Sequence, residues 1–259
     1  MGLGAMRTRE DIAAYRSAVP LALVSDIHGN DVALAAVVAE LDRLGIDRAI
    51  CLGDAAQGGP QPAEVLDRLA ALGWPVVLGN SDDFLLRLPE ASEEPVTARQ
   101  LEVRAWSLSR LAPRHLEQIA SWPATLDLEV EGGLELRAFH GSPRSYEHVV
   151  LPETSDGEAE QLLGGSGVDV LAGGHTHLQW ARWIDGALYV NPGSVGAPYD
   201  RHQPADDVRF SALAEYAVLT GGGVEFRRIP FDLDAFVDAG LAAGQPYAEE
   251  VRSRWRSAS

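Results

Sequence analysis

Between residues 20 and 80 the chain alternates short apolar runs with longer amphipathic ones, and this alternation restricts the fold more than any other feature. Leu21–Val24 is apolar throughout, as expected of a strand buried on both faces. Across Asp31–Leu44, Val32, Ala35, Ala36, Val38, Ala39 and Leu41 recur near helical spacing, with Asn30 placed to cap the start and Gly45 to stop the end. Residues 48–52 read as the next strand, 63–72 as a helix ended by Gly73, and 75–78 as a third strand. A strand–helix–strand–helix–strand order of this kind predicts parallel βαβ units.

The middle of the chain changes character. Helices are predicted over 98–111 and 114–119, divided by Pro113, and a hairpin over Thr125–Val130 and Leu134–Phe139 around Gly132-Gly133. A helix over 155–163, a strand over 168–172 and hairpins over 180–190 and 215–229 follow, with two closing helices over 233–241 and 246–255. The organisation expected is an N-terminal arm or helix (1–19), one α/β domain of mixed sheets (20–230) with a small helical insertion at about 84–120, and C-terminal helices packed on it (231–259).

Charge narrows the partners. Lys+Arg number 21 against 38 Asp+Glu, a net charge of −17, which opposes nonspecific binding to nucleic-acid phosphates and docking on anionic membranes. The single cysteine, Cys51, excludes an internal disulfide and a cysteine-rich zinc module, and points to a reducing, cytoplasmic setting. The run 19–24 is too short for a signal peptide or a membrane span. Oligomeric state has no signature in the sequence.

The residues just beyond the predicted strands carry the chemistry. Strand ends run into Asp26-Ile27-His28-Gly29-Asn30, Gly53-Asp54, Gly79-Asn80-Ser81-Asp82, His140-Gly141 and Gly173-Gly174-His175-Thr176-His177. Ligands of open α/β sheets gather beyond the carboxyl ends of strands. Asp26 and His28 are two apart, as are His175 and His177, so in extended backbone each pair would point to one side. Two Asp, one Asn and four His without thiolate suit Mn²⁺, Fe²⁺, Zn²⁺ or Ni²⁺ better than Ca²⁺. Seven donors exceed one tetrahedral shell and suffice for two ions sharing a carboxylate. Any one of these residues alone reads more simply as a cap or turn.

As an ordered set, Asp26-Ile27-His28, Gly53-Asp54, Gly79-Asn80, His140-Gly141 and Gly174-His175-Thr176-His177 resemble the calcineurin-like metallophosphoesterase superfamily, over about residues 20–230. Asn191-Pro192-Gly193-Ser194-Val195-Gly196 and His140-Gly141-Ser142-Pro143 are similar to its small bacterial and archaeal phosphodiesterase and phosphatase branch. The resemblance implies a sandwich of two mixed β-sheets with helices on both outer faces. It implies one metal on Asp26, His28 and His177, and a second on Asn80, His140 and His175, bridged by Asp54. It also implies two divalent ions, Mn²⁺ foremost, and hydrolysis of small phosphate esters by a metal-bridging hydroxide with no covalent protein nucleophile.

Ser81 stands where many superfamily members have histidine, which leaves the general acid unassigned. Ser81 and Asp82 are candidates to orient a water, with a preference for acidic leaving groups. Candidate substrate contacts are Asn30, Ser194, Tyr199, Arg201 and His202. The helices over 99–118 are candidates to cap the cleft, and Trp106, Trp122, Trp180, Trp183 and Trp255 read as packing residues. His115 and His148 lie outside every motif and read as surface residues. Alternatives within the family are a diadenosine-polyphosphate hydrolase and a serine/threonine protein phosphatase. Outside enzymes, the alternative is a scaffold like the retromer subunit that resembles it.

Overall fold

Strand β1 (Leu21–Val24) is buried along its whole length because it lies inside a sheet covered on both faces. Strand periodicity sends Leu21 and Leu23 toward a second sheet and Ala22 and Val24 toward helices on the other side. The computed structural model describes residues 20–88, 96–130, 133–165, 167–199, 203, 208–221 and 223–256. The expected N-terminal arm (1–19) falls outside them.

The first sheet has the order β10-β9-β1-β2, from β2 (Ala49–Cys51), β9 (Leu213–Thr220) and β10 (Gly223–Pro230). β1 runs parallel to β2 and antiparallel to β9. The second sheet has the order β3-β4-β5-β7-β6. There β4 (Leu134–Phe139), β5 (Val170–Ala172) and β7 (Ala187–Pro192) are parallel, and β3 (Thr125–Val130) and β6 (Gln179–Ile184) are antiparallel edges. Both sheets are therefore mixed. Leu23, Ile50, Leu136, Ala172, Val190 and Ala217 fill the space between them.

Helices complete the outer layers. α1 (Asp31–Leu44) and α2 (Pro62–Leu72) set Leu34, Val37 and Leu69 against Ala22, Val24 and Tyr216 of the first sheet. α3 (Asn80–Leu86), α4 (Ala98–Arg110) and α5 (Pro113–Ala120) follow β2 in the chain, and Leu85 and Ile119 bury against Leu66 of α2. α6 (Asp156–Leu163) sets Ala159 and Leu163 against Leu171, Trp180 and Tyr189 on the outer face of the second sheet. α7 (Leu233–Ala243) joins the first outer layer through Phe236 and Val237, and α8 (Ala248–Arg254) follows it. No helix among the described residues is long and apolar enough to cross a membrane.

Several expectations change. Residues 75–78 form a single parallel bridge, Cys51 to Val76, instead of a strand. Pro75 has no N–H for a ladder, and the chain turns into α3 four residues after Val76. That helix begins at Asn80, so the helical stretch starts before residue 84. A small parallel pair, β8 (Phe210–Ser211) and β11 (Trp255–Arg256), has no periodic signal in runs this short. His115 is buried, at 2% exposure, and is not a surface residue. Its Nδ1 accepts the Ala112 N–H, and its Nε2 lies 3.0 Å from Asp67 Oδ1 on α2. It shares with Ile119, one turn on, the face of α5 that packs inward. His148 is half-buried, with Nδ1 2.7 Å from the Ser142 hydroxyl.

Candidate metal centre

The loops leaving β1, β2, β4 and β5 meet at one edge of the two sheets, where backbone hydrogen bonds lash them together. Asp26 N–H donates to Gly53 O, His28 N–H to Asp54 O, and Gly174 N–H to His140 O. The loop after β7 closes the ring. Gly196 N–H and the Ser194 hydroxyl both donate to Asp26 O, and Asn191 Nδ2 donates to Gly174 O. Gly79 is obligatory in this arrangement, because a Cβ there would stand 2.1 Å from Asp54 Oδ1.

Asp26, His28, Asp54, His175 and His177 all take positive φ, between 49° and 69°. Left-handed backbone is unfavourable for residues with a Cβ and persists only where surrounding structure enforces it. Only Asp185 and Tyr247 share it among the other non-glycine residues described. The expected i, i+2 convergence from extended backbone is thus replaced by left-handed kinks that aim each side chain separately. His177 reaches His28, whereas His175 turns its ring edge to His140, with centroids 5.0 Å apart.

Six of the seven candidate donors are brought together by these distances. Asp26 Oδ1 lies 3.9 Å from His28 Nε2 and 3.2 Å from His177 Nε2, and the two imidazole nitrogens are 3.1 Å apart. Asp54 Oδ2 sits between this group and the next, 3.7 Å from His28 Nε2 and 3.4 Å from His140 Nε2. Asn80 Oδ1 lies 3.0 Å from His140 Nε2. Asp26 is common to both close donor groups, one with His28 and His177 and one with Asp54 and His140. His175 belongs to neither close group, but it lines the same cavity and donates its backbone N–H to Asp26 Oδ2.

Three imidazoles have their tautomer fixed from behind. Nδ1 of His28, His140 and His177 faces the carbonyl oxygens of Gln57, Leu52 and Ala197 at 2.8, 2.7 and 2.7 Å. A carbonyl only accepts, so Nδ1 carries the proton and Nε2 faces the centre. The charges respond to one another. Burial alone would raise the Asp26 carboxyl, but His177 and His140 pull it down to about 2. Asp54 is likewise held far below the usual carboxylate range, against burial, by His140, His28 and the Ser81 hydrogen bond. Burial opposes charge on His140 too, yet the Asp54 and Asp26 carboxylates raise it to about 10. Burial, then the charge of His140, pushes His175 down to about 4.

These residues fit divalent ions. Asp26 Oδ1 is completely buried and accepts no hydrogen bond, a costly state unless a cation completes it. Around an ion with bonds of ~2.0–2.2 Å, neighbouring donors stand roughly 3–3.5 Å apart, as His177 Nε2 does from Asp26 Oδ1 at 3.2 Å and from His28 Nε2 at 3.1 Å. Nε2 donors braced by Nδ1–H to a carbonyl are the usual form of metal-binding histidine.

The remaining expected site residues divide. Ser81 lines the cavity, and its hydroxyl and N–H donate to Asp54 Oδ2 and Oδ1 at 2.7 and 2.8 Å. Asp82 points away, fully buried, and accepts the N–H groups of Ala55, Ala56 and Gly79. Tyr199 lines the cavity beside His177. Asn30 and Ser194 are not placed as substrate contacts, since both are completely buried and committed to the protein. Asn30 caps α1 through Ala33 N–H and donates to Gly196 O, and Ser194 bridges Asp26 O and Ala197 N–H. Arg201 and His202 lie outside the described residues. Sequence reasoning passed over Phe210, Phe236, Gln245 and Val251, all on the cavity wall and far from any motif.

Residues 20–214 match the family model of the calcineurin-like phosphoesterase superfamily domain. The chain belongs to that superfamily. Membership supports a hydrolase acting on phosphoester bonds. The crystal structure of a metallophosphoesterase from Sphaerobacter thermophilus is 25% identical and covers 92% of this chain and 98% of its own, with a TM-score of 0.71. A hypothetical protein from Pyrococcus horikoshii OT3 shares the fold at 19% identity and a TM-score of 0.76, over 90% of this chain and 96% of its own. An uncharacterized protein of Methanocaldococcus jannaschii is 26% identical over 197 residues, 70% of this chain and 77% of the relative.

Proposed function

We propose that this phosphoesterase is dinuclear and hydrolyses small phosphate esters, with Mn²⁺ the foremost metal and Fe, Zn or Ni as competitors. The observation that carries this reading is the buried, unpartnered Asp26 Oδ1 at the vertex of two close donor groups. One ion belongs with Asp26, His28 and His177, the other with Asn80, His140 and His175. Asp54, whose Oδ2 lies 3.7 Å from His28 Nε2 and 3.4 Å from His140 Nε2, would be the carboxylate shared by the two ions. Two divalent ions, when bound, would supply Lewis acidity at a phosphoryl oxygen and would acidify a water.

The protein's own residues position and polarise. The carbonyls of Gln57, Leu52 and Ala197 keep three imidazoles in donor orientation, and Ser81 holds both oxygens of Asp54. Asp82 pins the loops that carry Asp54 and Asn80 to one another. Because the Ser81 hydroxyl is committed to a carboxylate, this position offers no strong acid to a leaving alkoxide, so acidic leaving groups are favoured. A cavity of about 550 Å³ lies within the usual ~300–1,000 Å³ for small-molecule sites and has room for a small ester.

The test uses chelator-stripped protein with Mn²⁺, Ni²⁺, Zn²⁺ and Mg²⁺ restored singly, and p-nitrophenyl phosphate, bis-p-nitrophenyl phosphate and diadenosine tetraphosphate as substrates. Turnover should return with metal and fall at least ~100-fold in Asp54→Asn. Near-full activity in that variant would sink the assignment, and tight metal binding without turnover on any ester would favour a scaffold.

A further inference from the structure

The cavity continues past the metal centre into an aromatic alcove. Tyr199 sets its ring edge against His177, with centroids 5.2 Å apart, and Phe210 follows Tyr199 at 5.9 Å. Trp255 stacks on Phe210 at 5.2 Å and leans on Phe236 at 5.0 Å. Tyr199, Phe210 and Trp255 keep part of their surface open to the cavity, whereas a purely structural cluster would close over it. Trp255, Phe236, Val251 and Gln245 all lie beyond residue 214, where the match to the family domain ends. This wall therefore comes from the segment that follows the first sheet's last strand, and not from the loops that carry the candidate ligands.

The wall is also fixed to the site. Gln245, in the turn between α7 and α8, donates its Nε2 to Gly58 O at 2.8 Å, beside the ring of His28. Among the described lining residues no lysine or arginine is present, and the basic side chains are the histidines at the metal end. An alcove of this composition stacks and desolvates a planar ring, and its described lining residues carry no cation to neutralise a second phosphate.

We infer that the alcove formed by Tyr199, Phe210, Phe236, Val251 and Trp255 binds a planar aromatic group esterified to the phosphate, so that the substrate carries one phosphate and an aryl or nucleobase ring. This inference rests on the phosphoesterase reading for the position of the phosphate. The ring occupies the alcove one side chain away from His177, with Tyr199 as the nearest stacking surface.

Two non-hydrolysable probes of equal charge test it by calorimetry on the Mn²⁺-loaded protein. Benzylphosphonate should bind at least tenfold more tightly than ethylphosphonate. Val251→Trp, which fills the alcove, should abolish the difference, and Trp255→Phe, which keeps a ring against Phe236, should preserve most of it. Equal affinities in the parent protein, or a preference that survives Val251→Trp, would overturn the inference. In parallel, phosphate esters of adenosine, phenol and ethanol separate the ring sources, and the ratio of kcat/KM for ring-bearing over ethyl esters should drop at least tenfold in Val251→Trp. A tenfold gain for ATP over AMP would overturn the single-phosphate part. Ring-selective binding without turnover of any ester would refute the hydrolase and leave the alcove standing. Turnover with no ring selectivity in binding or kcat/KM would refute the alcove and leave the hydrolase.

Discussion

At the scale of single residues the site is a concentration of unfavourable states that support one another. Five candidate ligands hold left-handed backbone, each at a cost of roughly 1–3 kcal/mol, and Asp26 Oδ1 is buried without a donor. What holds them is a set of side chains that do not face the cavity, Asp82 foremost. Its two oxygens receive three backbone N–H groups from the loops of Asp54 and Asn80. Replacing one oxygen by an amide turns an acceptor into a donor facing those N–H groups. Asp82→Asn should fold, yet weaken Mn²⁺ binding by roughly 10–100-fold, as loss of an outer support does elsewhere. Calorimetric titration checks this, and unchanged affinity would mean that the loops are held by something else. The candidate ligands themselves were legible as residue types following apolar runs. The strain was not, because no residue type at positions 26, 28 or 175 announces a positive φ; only the neighbouring glycines hint at close approach.

At the scale of elements, legibility followed the length of each periodic signal. Asp31–Leu44 and the pair Thr125–Val130 and Leu134–Phe139 have the expected bounds, since each carries enough repeats and a stop of its own. The two-residue strands β8 and β11 exist only because tertiary packing brings Phe210 and Trp255 together, which no local pattern encodes. A second element-scale feature is a polar clasp between the sheets. Glu215 on β9 pairs with Arg228 on β10 at 2.8 Å, and Arg228 donates to Gln179 on β6 of the other sheet. Gln179 returns two bonds, to Tyr216 O and Arg227 O. Burial raises Glu215 to about 7 despite Arg228, the Ser194 backbone hydrogen bond and the charge of His177, from an ordinary value of 4.5. The folded state therefore binds the proton more tightly than the unfolded state, and stability from this group is full below about 4.5 and is lost as pH rises through about 7. Glu215→Gln should gain stability relative to the parent protein across that window in urea melts taken at several pH values. Parallel pH profiles for the two proteins would contradict it.

At the scale of the molecule, a chain of net charge −17 gathers four imidazoles against two carboxylates at one edge of its sandwich. The α/β arrangement of mixed sheets with helices outside follows from the alternation of apolar strands and amphipathic helices, and the two-sheet sandwich is implied by the family resemblance of the strand-end motifs. The role of the C-terminal segment does not follow from sequence, because Phe236, Val251 and Trp255 read locally as ordinary packing and become a cavity wall only through the path of the chain. The central claim is that Asp54 joins two metal sites into one catalytic centre. Titrating Mn²⁺ into stripped protein, while following hydrolysis of bis-p-nitrophenyl phosphate, tests it most directly. The account predicts two ions per chain, turnover that appears only as the second binds, and loss of both the second ion and turnover in Asp54→Asn. Full turnover with a single ion bound, or two-ion binding and activity that survive Asp54→Asn, would contradict it.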